Sequence, residues 1–262
     1  MLDQLLPLED HEIGKELARE FKKQGIQSRL GSKVKSVNRK SGGLEIVIED
    51  GKSKEVSLEA ELVLSAVGVQ GNVENLGLED LGIAVKGSCI QVDRWFRTNV
   101  EGIYAIGDVI GAPYLAHVAS HEGITCVEKL AGLNPHPVDY QNIPGCTYCQ
   151  PQVASVGLTE KQARESGYKL KIGKFPFRVL GKARATGATE GFVKLIFDAK
   201  YGELLGAHII GEEATEMIAG LGTARTLETT YREILGTVHA HPTLSEAVME
   251  AAGAAYGKQI HL

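Results

Sequence analysis

The sequence predicts an α/β layer over its first half and an α+β domain after it, and three patterns carry that expectation. Short apolar runs alternate with helix-like segments from residue 1 to about 132. Two prolines in Leu133-Asn-Pro-His-Pro137 then interrupt the chain as a linker would. Beyond them strand-like runs follow one another as hairpins, with helical segments to one side.

Each element has its own signal. Met1-Leu-Asp-Gln-Leu-Leu-Pro-Leu8 is apolar with no flexible lead-in, as a strand entered partway would be. Asp10 is placed to cap a helix with Ile13, Leu17 and Phe21 on one face, closed by Gly25. Val34 to Val37 and then Leu44, Ile46 and Ile48 alternate as strands, Asp50-Gly51 supplies a turn, and Val56 and Leu58 begin the return. Leu62 to Val67 reads as a continuous buried strand ending at Gly68, and Ile103 to Ile106 as another ending at Gly107. Leu115 to Ala131 has the composition of a helix. After the linker, strands are expected at 146–149, 154–157, 170–175, 192–197 and 204–210, and helices at 159–166, 212–226 and 243–256.

Composition bounds the function. A chain of 262 residues is long enough for one large or two ordinary domains. Its net charge of −5 gives no electrostatic footprint for nucleic acid or anionic lipid. No apolar run reaches membrane-spanning length and the first residues lack a signal-peptide pattern. Four cysteines are too few for a disulfide framework in a chain of this size. The default expectation is a soluble cytoplasmic protein, with neither nucleic acid nor membrane as partner.

Two segments point to chemistry. In Gly102-Ile-Tyr-Ala-Ile-Gly-Asp-Val109, Gly107 permits a sharp turn and Asp108 stands where a strand end would offer a carboxylate to a ligand. The helix opening near Tyr114-Leu-Ala-His117 would aim its free N–H groups at the same place. A carboxylate that grips hydroxyls beside a helix N-terminus that stabilises negative charge suits a flavin; the alternative is that Asp108 is only a loop-side cap. The second segment is His239-Ala-His-Pro-Thr-Leu-Ser-Glu246. Thr243 and Glu246 have capping-box spacing, which explains Glu246 structurally. The same spacing puts His241, stiffened by Pro242, beside a carboxylate that would fix its tautomer and leave the other nitrogen for proton transfer.

These segments, with Arg97-Thr-Asn-Val-Glu-Gly102, Pro151-Gln-Val-Ala-Ser-Val-Gly157, Gly191-Phe-Val-Lys194 and Leu205-Gly-Ala-His-Ile-Ile-Gly211, resemble the flavin-dependent pyridine nucleotide-disulfide oxidoreductases. The histidine segment is similar to that of the dihydrolipoyl (lipoamide) dehydrogenase branch. The mercuric and glutathione reductases share its His-Pro but diverge around it. The resemblance implies the remainder of Rossmann-like NAD and FAD domains plus a C-terminal dimerisation (interface) domain. The expected boundaries are 1–68 for the NAD part, 69–140 for the FAD part and 141–262 for the interface domain.

The implied roles follow residue by residue. Asp108 would hold the ribityl chain of FAD. The backbone of Tyr114, Leu115, Ala116 and His117 would approach the flavin pyrimidine edge. Val34 and Gly68 would line the NAD site, with Val69 standing where members often carry arginine. His241 would be the acid/base for the dithiol, oriented by Glu246. The implied assembly is a homodimer, completed across the interface, that serves lipoyl-bearing domains of 2-oxo acid dehydrogenase or glycine cleavage complexes.

Three parts of that machinery are not in the sequence. No Gly-x-Gly-x-x-Gly occurs, so neither pyrophosphate has its loop. The acidic residue for the NAD ribose would precede Met1, and no Cys-x-x-x-x-Cys is present. Cys146-Thr-Tyr-Cys149 is flanked by strand formers, and residues three apart on a strand face opposite ways, so packing is expected of it rather than redox work. The expectation is the C-terminal part of such an enzyme, inactive alone, beginning inside the second strand of the NAD domain. The rivals are a sister disulfide reductase and a non-catalytic self-associating interface module.

Overall fold

In a computed structural model, which describes residues 2–261, the chain opens with helix α1 (His11–Lys23) and strands β1 (Lys33–Lys40), β2 (Gly43–Glu49) and β3 (Glu55–Ala60). Short strands β4 (Val85–Lys86) and β5 (Cys89–Ile90) precede helix α2 (Ala116–Leu130). Strands β6 (Gly145–Thr147) and β7 (Gln152–Gly157), helix α3 (Glu160–Glu165), strand β8 (Leu170–Pro176) and helix α4 (Gly181–Thr186) come next. The chain closes with β9 (Phe192–Asp198), β10 (Leu204–Gly211), α5 (Ala214–Thr226), α6 (Tyr231–Gly236) and α7 (Glu246–Ala255). These elements form two units: Leu64–Tyr140, and one joining the residues up to Val63 with those from Gln141 onward.

The larger unit is built on an antiparallel five-stranded sheet in the order β6-β7-β10-β9-β8. Side chains alternate across a strand, so a fully apolar strand must be covered twice. On β9, Val193, Leu195 and Phe197 join the main core with Ile218 and Leu221 of α5 and Ala247, Ala251 and Ala252 of α7. Their neighbours face the other way. Phe192 packs with Ile13 and Leu17 of α1, and Ile196 with Ala163 of α3. Every residue of β9 and β10 is buried in consequence.

Between those two satellite clusters runs a polar row. Ser155, His208, Lys194 and Lys174 are register partners on β7, β10, β9 and β8. The residues that open α1 meet them one by one. Ser155 Oγ donates to Glu9 Oε1 at 3.0 Å and Lys174 Nζ to Glu12 Oε1 at 2.7 Å. Lys194 Nζ, with a side chain only 1% exposed, reaches Asp10 at 2.9 Å and Glu12 and Glu160 at 2.8 Å each. Burial alone would push the Lys194 ammonium down, but these carboxylates outweigh it and hold its proton well above the usual lysine range. The Asp10 carboxylate also caps two helices, accepting from Glu12 N–H of α1 and from Glu160 N–H of α3, each at 3.1 Å.

The expected β1–β3 meander forms as an antiparallel sheet, with the Asp50 carboxylate closing its turn on the N–H groups of Lys52 and Lys54. The strand expected at Leu62 to Val67 does not form. That stretch is extended but unpaired, with Leu62 82%, Leu64 87% and Val67 97% exposed. A buried strand needs neighbours to take its backbone hydrogen bonds, and no adjacent strand stands there among the described residues.

In the smaller unit a core of Leu78, Ile83 and Ile90 packs with Ile103, Ala105 and Val109. Ile103 to Ile106 is also not a strand. Only Tyr104 makes a bridge, to Arg97, because the backbone turns at once into a 3-10 turn over Gly107–Ile110. Helix α2 follows within one residue of its expected limits.

Candidate functional site

The larger unit presents the histidine segment. Helix α7 is pressed on the sheet so closely that a Cβ at Gly173 of β8 would lie 1.7 Å from the Ala251 carbonyl oxygen. The first residue of that anchored helix is Glu246, one carboxylate oxygen of which accepts from the Thr243 N–H at 2.9 Å. The other lies 2.9 Å from His241 Nδ1. The reciprocal half of the expected capping box is not made: the helix starts at Glu246 rather than at 243, and Thr243 Oγ1 turns to Ala240 O and Ser245 Oγ. Glu246 is thereby left with one oxygen for the imidazole.

The electrostatics suit proton transfer. Burial raises the Glu246 carboxyl, but the Thr243 N–H and then His241 bring it below the usual glutamate range, so it stays ionised. A carboxylate that accepts Nδ1–H leaves Nε2 as the free lone pair. The His241 side chain is 75% exposed and that of Glu246 13%, so the imidazole faces outward from a fixed base. This pair can hold a proton and hand it on.

The smaller unit presents the second expected site. Gly107, at φ +73°, turns the chain so that Asp108 stands exposed in the 3-10 turn. The turn is enclosed on one side by Gly71, where a Cβ would meet the Asp108 carbonyl oxygen at 2.8 Å. On its other side Ala119 of α2 lies 3.2 Å from the place of a Gly107 Cβ. Tyr114 and Leu115 lead into α2 half-buried, and Ala116 and His117 open its first turn exposed. Leu115, the N-cap, supplies no side-chain cap to the positive end of the helix. The small Gly71, Gly107 and Ala119 beside an exposed carboxylate and a helix N-terminus leave room that fits a flavin and its polyhydroxy chain.

Sequence reasoning missed what holds this turn. Glu122, 3% exposed on α2, accepts from the Gly107 N–H at 2.7 Å and from the Tyr140 hydroxyl at 2.6 Å. The signal was present: Val118, Glu122 and Cys126 are spaced by four, so the acid sits on the packed stripe of its helix.

The two expected NAD contacts fall in different units. Val34, on β1, is 59% exposed and lines an open groove of about 450 Å³ with Ile46, Ile48 and Leu58. Gly68 has φ +142° and open space around it, so only glycine suits the position and a ligand could approach its backbone. Cys146 packs toward the main core and Cys149 toward the α1 cluster, on opposite faces, and both remain thiols. Burial raises both above the usual thiol range. Among the described residues no group of three or more His, Cys, Asp or Glu could hold a metal, and no helix is long and apolar enough to cross a membrane.

Residues 1–123 match the pyridine nucleotide-disulphide oxidoreductase family model, and 143–252 match the dimerisation domain of the same family. Dihydrolipoyl dehydrogenase of Zymomonas mobilis is 52% identical over 98% of this chain and 56% of its own length. That of Rhizobium etli is 49% identical, over 98% and 54% respectively. Among solved structures, LpdA of Mycobacterium tuberculosis superposes with a TM-score of 0.85 at 27% identity, covering 96% of this chain and 54% of its own. The HOCl-induced flavoprotein disulfide reductase RclA of Escherichia coli gives 0.89 at 26%, covering 96% and 57%. The chain thus spans about half the length of the curated relatives it matches. With matches that together run over most of its residues, the chain belongs to the pyridine nucleotide-disulphide oxidoreductase family.

Proposed function

We propose that this chain carries the acid/base and part of the cofactor-binding surface of a dihydrolipoyl dehydrogenase, which oxidises dihydrolipoyl groups with NAD through FAD. The observation that carries the proposal is the His241 Nδ1 to Glu246 Oε1 contact of 2.9 Å, with the imidazole exposed. A free thiol ionises near pH 8.5 and an imidazole near 6.5, so a neutral imidazole can take the proton of a dithiol near pH 7. Glu246 stabilises the imidazolium that results, and Pro242 limits its swing. Asp108 would hold the hydroxyls of FAD, and the first turn of α2 from Tyr114 to His117 would stabilise negative charge. FAD, when bound, supplies the two-electron redox chemistry. Val34 and Gly68 would border NAD.

The proposal extends to a division at 1–68, 69–140 and 141–262, to a cytoplasmic homodimer and to lipoyl-bearing partner domains. The relatives at 49% and 52% identity favour the dihydrolipoyl branch over a sister disulfide reductase. The test joins this chain behind the upstream half of the Zymomonas mobilis relative and measures NAD-dependent dihydrolipoamide oxidation. His241→Gln should lower turnover by about 10²–10⁴-fold, as loss of a general acid/base does. Unchanged turnover would sink the proposal, as would turnover by the chain on its own.

A further inference from the structure

A carboxylate buried to 3% exposure inside a helix–turn contact is costly to keep, and Glu122 is kept with both oxygens committed. Oε2 accepts from the N–H of Gly107, the residue that opens the Asp108 turn, at 2.7 Å. Oε1 accepts from Tyr140, where the chain leaves the unit, at 2.6 Å. Burial and then the adjacent Glu122 charge raise the Tyr140 hydroxyl far above its ordinary value, so it remains a donor. The Glu122 grip acts where the backbone is least able to hold itself. Gly107 is at φ +73° and opens a four-residue 3-10 turn with no side-chain cap. One helical turn before Glu122, Ala119 abuts the same glycine.

We propose that Glu122 is a positioning residue for the flavin-binding turn: it fixes the Gly107 peptide, and through it the direction in which Asp108 is offered. Tyr140 is its second anchor, so the orientation of Asp108 depends on a side chain well beyond α2. This inference rests on the reading of Asp108 as a flavin contact.

The experiment uses the chain joined behind the upstream half of the Zymomonas mobilis relative and compares Glu122→Ala, Glu122→Gln, Tyr140→Phe and Asp108→Ala. Two quantities are read: exchange of the Gly107 amide by NMR, and FAD affinity by quenching of flavin fluorescence. Glu122→Ala should speed Gly107 exchange by about tenfold or more, the scale of one charge-assisted hydrogen bond, with the β9 and β10 amides unchanged. Glu122→Gln still offers a carbonyl oxygen to Gly107 and an amide N–H to the Tyr140 oxygen, so both quantities should return to within about threefold of wild type. Tyr140→Phe should fall between. FAD affinity should drop about tenfold or more in Glu122→Ala and in Asp108→Ala alike.

Unchanged Gly107 exchange in Glu122→Ala overturns the inference, and so does full FAD affinity in that variant while Asp108→Ala loses it. Failure of glutamine to rescue Gly107 exchange overturns it as well. If Asp108→Ala binds FAD as wild type does, or the joined protein takes up none, the flavin reading of the turn is what fails. The Glu122 grip is then decided by Gly107 exchange and its rescue.

Discussion

Replacing Lys194 with methionine isolates the largest electrostatic commitment in the fold. The substitution keeps the length and most of the volume but removes the cation facing Asp10, Glu12 and Glu160. Glu12 and Glu160 are 43% and 31% exposed and retain Lys174 and Arg164 as partners, so their loss is small. The Asp10 side chain is 3% exposed and cannot recover water. Breaking a buried pair from one side costs about 3–5 kcal/mol, and the two N–H donors that Asp10 keeps place the expected loss near ~3 kcal/mol. In a thermal melt followed by circular dichroism this is a fall in Tm of about 6–12 °C for a unit of this size. Lys194→Met combined with Asp10→Asn removes the stranded charge but keeps an acceptor for only one of the two N–H donors, so it should regain only part of the loss.

The pH dependence provides an internal check on the same prediction. Burial raises Asp10, but its hydrogen bonds with Lys194 and Glu160 N–H bring it below its ordinary 3.8. Glu160 is lowered from 4.5 chiefly by Lys194. Groups with lowered folded-state values stabilise above their unfolded values, and that stabilisation is lost as pH falls below about 4. Lys194→Met should flatten this acid limb. A variant within about 0.5 kcal/mol of wild type at pH 7 would refute the reasoning.

Three further outcomes are expected. Gly173→Ala drives a Cβ to 1.7 Å from Ala251 O, so it should cost about 1–3 kcal/mol by urea denaturation and broaden the His241 resonance. Glu246→Ala removes the acceptor at Nδ1, and the ring should shift toward the other tautomer in nitrogen NMR. Cys126, Cys146 and Cys149, all raised by burial, should alkylate more slowly than a peptide thiol at pH 8, and 146 and 149 should form no disulfide in the folded chain.

Local rules recovered the α1 cap, the meander turn and the strands of the second half because each is decided by neighbours in sequence. Asp10 and Asp50 find their donors within four residues. The polar row was not legible, since Lys194 and Asp10 are 184 positions apart and meet only once β9 is set in the sheet. Leu62 to Val67 shows the opposite error: its composition satisfies a buried strand, but composition cannot supply the strands that would bury it. At the candidate sites the proposed residues were chosen from type and spacing. Their supports were not, because Glu122 looks like any helical glutamate until its stripe is traced, and Thr243 was expected to cap a helix that opens three residues later.

Double coverage of β9 and β10 has a consequence for self-association. A sheet already roofed above and floored below has no flat apolar expanse left to offer a second copy. Pairing through this region must fall to the outer strands β6 and β8, to the backs of the helices and to the loops between them.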